Sequence, residues 1–366
     1  MKKLYVTFIA LFLAVIIIPA VCVFAGADKS FSDNENRMLQ TAPELKASTV
    51  LDGTFQEKLT KYISDQFPAR DTWTALGTQA KKLAGLKDIG GAYLGKDGYY
   101  FEKITPNDIN EAKYRANLLM IKNFAELNPD VPAEMLLVPA TGTVLSDKLP
   151  ANARMYDAKA MYDTAVKALP DFSIPDLFSA LSARSDEYIY YRTDHHWTTL
   201  GAEIAYRSLM GDNAAFKGEA SLAAEEFFGT TYSKTLDSAA VADSVYTIPV
   251  ADGISVTADG KDIEFYNSDA FAEKDKYKIF FGGNYGRVDI KGGTDNGKTL
   301  LVIKDSFANS LVPFFTYDYE NIIMLDLRYF MGSAKDIMAE KGVDGLLFVC
   351  EMSGLASDPN LVKLSF

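Results

Sequence analysis

The sequence has 366 residues and a formal net charge of −12, from 37 basic and 49 acidic side chains. This length allows one large or two modest globular units with a sizeable buried core. The acidic balance excludes nucleic acid as a partner, because neutralising phosphates requires a basic surface that the sequence does not offer.

The N-terminus has the pattern of an export segment. Lys2 and Lys3 precede an apolar run over residues 4–24, and the small residues 25–27 follow as a cleavage site. The run is long for a signal peptide and barely long enough for a membrane span. We therefore expect residues 1–27 to be a signal peptide, the favoured alternative, or a membrane anchor. Both alternatives predict that residues 28–366 lie outside the cytoplasm, secreted or anchored at the cell envelope.

The next segments predict a tether and a helical lead-in. Residues 28–54 are polar, whereas 55–62 and 73–86 carry apolar residues at helical spacing. Asp97 and Gly98 lie between aromatic stretches and indicate a β-hairpin.

Helices and buried strands then alternate along the chain. The predicted order is helix 107–128, strand 134–138, helix 157–169, short segment 171–175, strand 299–303, helix 307–318, strand 321–325, helix 334–341 and strand 345–349. Such alternation is typical of parallel β-α units. Between its two halves, residues 213–298 are rich in small and polar residues and predict a β-rich insertion, with strand-like pieces at 244–250 and 263–267.

The two histidines of the chain, His195 and His196, are adjacent and precede Trp197. Neighbouring side chains diverge on a strand or a helix, and the usual i, i+4 histidine pair is absent, so we expect no metal site. Asp194 and His196 point the same way in an extended segment, so the carboxylate can hold one ring nitrogen and leave the other as a base. Alternatively, Asp194 caps the helix that begins near Thr198.

Ser306 is the candidate nucleophile. An apolar strand runs into Asp305 and Ser306, and a helix follows, so the serine lies where backbone N–H groups favour developing negative charge. The sequence contains no Gly-x-Ser-x-Gly elbow. On these residues alone, a helix cap by Asp305 or Ser306 explains the segment as well as catalysis does.

Together these motifs resemble the DHHW protein family and are similar to the SGNH-hydrolase-like alginate O-acetyltransferases. The matching segments are 65–70, 95–98, 191–198, 201–202, 280–284, 304–309 and 326–329. The resemblance implies that Ser306 is the nucleophile, His196 the base and Asp194 the group that orients it. The chain order agrees, because no histidine follows Ser306.

The resemblance also implies an α/β fold: an SGNH-hydrolase-like central parallel sheet flanked by helices, with the β-rich insertion and an N-terminal signal or anchor helix. Candidate oxyanion or substrate-binding residues are Gly283, Asn284, Arg328, Asn309 and His195. Arg328 follows a strand, where it could bind an anionic sugar or an acetyl donor, or form a surface salt bridge. No cofactor is expected.

The implied activity is transfer or hydrolysis of an O-acetyl group on a cell-envelope or secreted polysaccharide, through an acyl-enzyme at Ser306. A transferase would need a membrane-bound O-acyltransferase partner to bring the acetyl group across the membrane. Two alternatives remain: a non-catalytic carbohydrate-binding or assembly protein of the cell envelope, and a metal-dependent hydrolase that uses Asp194, His195 and His196.

Overall fold

The computed structural model describes residues 2–32, 34, 37–340 and 342–365. The predicted segments also include Met1, Asp33, Glu35, Asn36, Lys341 and Phe366, which lie outside the described residues. The chain divides into two compact units, Met1–Leu86 with Ser233–Ala239, and Lys87–Tyr232 with Ala240–Phe366.

The first unit begins with the apolar N-terminal segment. Its elements are α1 (Lys2–Ala25), β1 (Phe31–Ser32), β2 (Arg37–Met38), α2 (Ala47–Leu51), α3 (Thr54–Asp65) and α4 (Arg70–Leu83). Within the described part of the chain, α1 is the one helix long and apolar enough to cross a membrane, a test that signal sequences also pass. Its end packs on α3, where the Tyr62 hydroxyl donates to the Val23 carbonyl at 2.9 Å. The domain boundary at residue 27 stays a prediction.

The remaining elements contain the alternating region. In chain order they are β3 (Asp88–Ile89), β4 (Ala92–Leu94), β5 (Tyr100–Glu102), α5 (Glu111–Ala125), β6 (Ala133–Val138), α6 (Thr141–Val144), α7 (Ala158–Ala168), α8 (Leu177–Ser182), α9 (Thr199–Met210), β7 (Ser221–Phe227), α10 (Thr230–Ser233), β8 (Asp243–Thr247), β9 (Ser255–Ala258), β10 (Lys261–Asp262), β11 (Arg287–Lys291), β12 (Thr299–Lys304), α11 (Ala308–Phe315), β13 (Asn321–Leu325), α12 (Ala334–Glu340), β14 (Gly345–Glu351) and α13 (Met352–Leu355).

A mixed sheet organises the second unit. Over the described residues it has seven strands in the order β10-β9-β11-β13-β12-β14-β6. β13, β12, β14 and β6 run parallel, whereas β11, β9 and β10 pair antiparallel. The expected parallel strands form the middle and one end of this sheet, but the sheet as a whole is mixed and not parallel throughout. Strands of the predicted insertion extend the same sheet, because antiparallel pairing needs no crossover helix.

Both faces of the parallel strands are buried. On β12, Leu300 and Val302 join a core cluster with α8, α9 and α11, while Leu301 and Ile303 join a second cluster with α5, α7 and α12. Side chains alternate between the faces of a strand, so a strand covered on both sides must be apolar throughout. Each fully buried side chain of this type contributes about 1.5–3 kcal/mol relative to exposure.

The local predictions hold for the main alternation, but the strand-like piece expected at 263–267 is not a strand. The strands expected at 134–138, 299–303, 321–325 and 345–349 are β6, β12, β13 and β14. The segments 171–175 and 263–267 form only isolated bridges, at Ser173 and Tyr266. Asp97 and Gly98 both have positive φ, 55° and 77°, as a tight hairpin turn requires.

The carboxyl ends of the four parallel strands meet at one edge of the sheet. A cavity of about 480 Å³ opens there, lined by residues at or just after the end of each strand: Thr141, Ser306, Arg328 and Glu351 among them. Ligands of open α/β sheets bind at this edge, so the fold predicts a binding site in this cavity.

Candidate active site

Ser306 lies in the turn between β12 and α11. The Asp305 carboxylate fixes this turn by accepting from the Phe307 N–H at 2.9 Å and the Glu351 N–H at 2.6 Å. Helix α11 has no side-chain cap. The Ser306 hydroxyl is therefore free of the capping role that the sequence alone allowed.

The histidines lie in a tight loop that a second buried aspartate shapes. The carboxylate of Asp243 accepts from the N–H groups of Arg192 and Thr193 at 2.8 and 2.7 Å, and from the Thr193 hydroxyl at 2.6 Å. These bonds close the loop just before Asp194, and they fix where that side chain points.

Trp197 docks this loop against the serine. Its indole N–H donates to the Phe307 carbonyl at 3.1 Å and is 3.0 Å from the Ser310 hydroxyl, both in the segment that carries Ser306. The indole is fully buried. The tryptophan beside the histidines thus joins two segments that are far apart in sequence.

Asp194, His196 and Ser306 form one hydrogen-bonded row. His196 Nε2 is 2.7 Å from Ser306 Oγ, and His196 Nδ1 is 2.6 Å from Asp194 Oδ1. Asp194 is 2% exposed and His196 6%. Thr198, not Asp194, caps α9 through a bond from the Gly201 N–H, so the capping alternative does not describe Asp194.

Four donors surround the Asp194 carboxylate. Besides Nδ1–H, Oδ1 accepts from the His196 backbone N–H, while Oδ2 accepts from the Thr230 N–H at 2.8 Å and hydroxyl at 3.0 Å. A Cβ on Gly229 would lie 2.2 Å from the Asp194 Cβ, so only glycine lets Thr230 approach. Burial opposes ionisation, but His195, His196 and these hydrogen bonds outweigh it and hold the pKa of Asp194 well below its usual range.

Two rings enclose His196. The Tyr277 ring stacks on it at 4.0 Å with an 8° interplanar angle, and the His195 ring lies 3.9 Å away on a 36° tilt. The Tyr277 hydroxyl donates to the Ser306 carbonyl at 2.9 Å. Burial and the neighbouring His195 lower the pKa of His196 to about 4, although Asp194 acts in the opposite direction.

The lowered pKa of His196 predicts the pH below which activity is lost. A base works when neutral, so we expect kcat/KM for an aryl acetate to be full at neutral pH and to fall only as the pH drops through the pKa, near 4. Stopped assays in constant-ionic-strength buffers would measure this loss. A midpoint above the ordinary histidine pKa of about 6.5 would contradict the assignment of His196 as the buried base.

The expected divergence of the two histidines is wrong. The loop bends between them instead of running as a strand, so both rings face the same carboxylate. Ligand atoms of Asp194, His195 and His196 lie within 4.8 Å of one another, a spacing that could hold a metal ion. However, Asp194 and Ser306 engage both ring nitrogens of His196, which leaves it no lone pair to direct at an ion.

A buried lysine organises two of the candidate residues. Lys304 Nζ donates to Asn309 Oδ1 at 2.9 Å and to Asn284 Oδ1 at 3.3 Å, and Asn309 Nδ2 donates to Asn284 Oδ1 at 3.2 Å. An ammonium only donates, so both amides must turn their oxygens toward it. Burial lowers the pKa of Lys304, while Asp326, at 3.5 Å, favours its charge. Among the described residues, no group accepts from Asn284 Nδ2, which stays available.

Arg328 and Gly283 occupy different positions. Arg328 donates to Asp326 through Nε at 2.8 Å and Nη2 at 2.6 Å, and its side chain, 38% exposed, lines the cavity. It forms an ion pair with a buried carboxylate and still faces the cavity. The Gly283 N–H contacts the Phe280 carbonyl at 3.4 Å, in a loop outside the cavity lining.

Sequence reasoning missed the contributions of Thr230, Tyr277 and Lys304. Lys304 stands within the motif around Ser306, so its proximity was a usable signal. Thr230 and Tyr277 lie in the predicted insertion with no motif of their own, and only folding brings them to Asp194 and His196.

The fold and the site define an α/β protein with a buried Asp–His–Ser hydrogen-bonded row at the carboxyl edge of its parallel strands. The DHHW protein family model matches residues 151–325, a span that includes the histidine loop and Ser306. The resemblance to that family is thereby confirmed. A solved DHHW family protein from Eubacterium siraeum is similar to this chain at 25% identity and a TM-score of 0.59, over 76% of this chain and 95% of that one.

Three further proteins are similar to this chain. The probable alginate O-acetylase AlgJ of Pseudomonas syringae pv. tomato is 27% identical over 233 residues, 60% of this chain and 55% of the relative. The Pseudomonas putida protein of the same name is 26% identical over 203 residues, 50% and 52% of the two chains. This chain thus spans about half the length of these relatives. Bacillus cereus PatB1, solved with a sulfonyl adduct, shares the fold at 20% identity and a TM-score of 0.60, over 74% of this chain and 95% of that chain.

Proposed function

We propose that this chain is an SGNH-hydrolase-like, serine-dependent enzyme that transfers or hydrolyses O-acetyl groups on a polysaccharide. The observation that carries the proposal is the continuous row from Asp194 Oδ1 through His196 to Ser306 Oγ, with contacts of 2.6 and 2.7 Å. A neutral imidazole held in this way can accept the serine proton, which makes an alcohol a nucleophile at neutral pH.

The first half-reaction forms an acyl-enzyme. Ser306 Oγ attacks the acetyl carbonyl carbon while His196 Nε2 takes its proton, and Asp194 stabilises the imidazolium. When the tetrahedral intermediate collapses, the bond from carbon to the donor's oxygen breaks and His196 returns the proton to that oxygen. In the second half-reaction, a sugar hydroxyl or water attacks the Ser306 ester along the same route.

Backbone and amide donors serve the developing oxyanion. No described residue accepts from the Ser306 N–H, and Lys304 and Asn309 turn the Asn284 carboxamide so that its NH₂ stays available. We assign these two donors to the oxyanion, and not Gly283, because the Phe280 carbonyl accepts from its N–H. Donors fixed before the reaction stabilise the transition state without a reorganisation cost.

The cavity beside Ser306 is assigned to the glycan. His195 and Arg328 line it, and we assign both to substrate binding, with Asn309 supporting Asn284. The names of the Pseudomonas relatives support an O-acetylated polysaccharide as the substrate class. With α1 as signal or anchor, we place this enzyme at the cell envelope or outside the cell. A transferase there would receive acetyl groups by way of a membrane-bound O-acyltransferase partner.

Covalent labelling tests this proposal. The full chain in detergent micelles is incubated with p-nitrophenyl acetate and quenched in acid, and peptide mass spectrometry then locates the acetyl group. We expect acetyl on Ser306, while Ser310, buried one turn further on, stays unmodified as the internal control. Glycan binding with no acetyl on Ser306 would instead support the non-catalytic carbohydrate-binding alternative.

A further inference from the structure

Thr230 fixes which nitrogen of His195 carries the proton. Its hydroxyl oxygen lies 3.0 Å from Asp194 Oδ2 and 2.7 Å from His195 Nδ1. A carboxylate only accepts, so the single hydroxyl proton must point to Asp194. If it pointed to His195 instead, two oxygen lone pairs would face each other. His195 Nδ1 therefore donates to Thr230, and Nε2 holds a lone pair.

That lone pair faces the reaction site. Both histidines turn Nδ1 toward Asp194 Oδ1, at 3.6 Å for His195 and 2.6 Å for His196. Because both Nδ1 atoms face the carboxylate and the ring centroids lie 3.9 Å apart, we infer that both Nε2 atoms lie on the side away from Asp194. His196 Nε2 contacts Ser306 there, and His195 lines the same cavity as Ser306. Among the described residues, no group donates to His195 Nε2.

We propose that His195 is an acceptor-binding residue that selects vicinal diols. Resting on the proposed function, this inference assigns the two Nε2 atoms to two neighbouring sugar hydroxyls. One hydroxyl gives its proton to His196 Nε2 and attacks the Ser306 ester, whose Oγ–carbon bond breaks and whose Oγ then takes that proton. The second hydroxyl donates to His195 Nε2 and stays unmodified. Water satisfies only the first position, so His195 favours transfer over hydrolysis.

Two isosteric variants separate the nitrogens of His195. The amide of His195→Asn can reach the Nδ1 position and donate to Thr230, but it leaves nothing at Nε2. The amide of His195→Gln reaches the Nε2 position, where its oxygen can accept. Both variants retain Ser306, His196 and Asp194, so the acyl-enzyme still forms, and the ratio of transfer to hydrolysis is compared within each variant at that variant's own rate of nitrophenol release.

The test uses ethylene glycol and its monomethyl ether as matched acceptors, which differ only in the second hydroxyl. With full-chain protein in detergent micelles and p-nitrophenyl acetate as donor, mass spectrometry measures acetylated acceptor relative to free acetate, divided by the number of reactive hydroxyls (two for the diol, one for the ether). We expect wild type to prefer the diol by about 3- to 10-fold, the effect of one neutral hydrogen bond. His195→Asn should lose this preference and His195→Gln should keep it.

Each other result overturns the inference. A wild type without diol preference, or without any transfer product, contradicts a second hydroxyl site. A His195→Asn variant with undiminished preference contradicts the role of Nε2. If His195→Asn slows the release of nitrophenol but keeps the preference for the diol, His195 only supports the positions of Asp194, His196 and Ser306. The proposed function fails on a different measurement, namely acetyl absent from Ser306 during wild-type turnover.

Discussion

Replacing Ser306 with alanine is expected to lower kcat for aryl acetate turnover by about 10³-fold or more, because the nucleophile of an acyl-enzyme has no substitute. The substitution removes one oxygen from a half-buried turn whose shape depends on Asp305 and not on the serine hydroxyl. The free energy of unfolding should therefore change little. Initial rates of nitrophenol release and thermal unfolding of the same samples would measure the two effects.

Ser310→Ala is the matched control for this variant. Ser310 is fully buried on α11 and contacts Trp197 and Tyr277, so its loss removes hydrogen bonds and should lower the unfolding temperature. Its hydroxyl does not touch His196, and we expect turnover per folded molecule to persist. Equal activity losses in both variants would indicate that packing near α11, and not Ser306 as nucleophile, controls the reaction.

Asp194→Asn is expected to lower kcat by about 10⁴-fold while the chain stays folded. Both oxygens of Asp194 accept from backbone N–H groups, of His196 and Thr230, and a carboxamide has only one accepting oxygen. If its NH₂ faces His196, Nδ1 must accept and the proton moves to Nε2, where it blocks the base. If its NH₂ faces Thr230, the segment that holds His195 in place loses its anchor.

Asp243→Asn is the matched control for Asp194→Asn, because it also replaces a buried carboxylate. Asp243 also accepts several hydrogen bonds near the histidine loop, but it does not contact either imidazole ring. We expect a lower unfolding temperature and a much smaller loss of kcat, both measured on folded protein. An Asp194→Asn variant within about tenfold of wild type would refute the orienting role, because tautomer control is the larger effect.

Local sequence patterns did not predict how many strands the central sheet contains. Apolar runs such as β12 and β14 identify buried parallel strands because both of their faces must be covered. The antiparallel strands β9 and β11 carry short, mixed patterns, and whether they form a separate insertion or extend the central sheet depends on which edge is open. Pairing with β13 decided this.

The sequence by itself identified the side chains of the candidate site. With two histidines in the whole chain, a histidine base had to lie beside Trp197, and the two-residue spacing from Asp194 to His196 already predicted the contact between them. The apolar run before Ser306 placed that serine at the end of a strand. These inferences depend on chain neighbours, whose relative positions the backbone fixes locally.

Only the tertiary structure decided how those groups meet. Ser306 reaches His196 because Trp197 docks the histidine loop on α11, and His195 faces the cavity because a bend and the Thr230 hydroxyl turn its ring. Tyr277 and Lys304 complete the site from other segments. Contacts between residues distant in the chain depend on packing of the whole core, and no local periodicity encodes them.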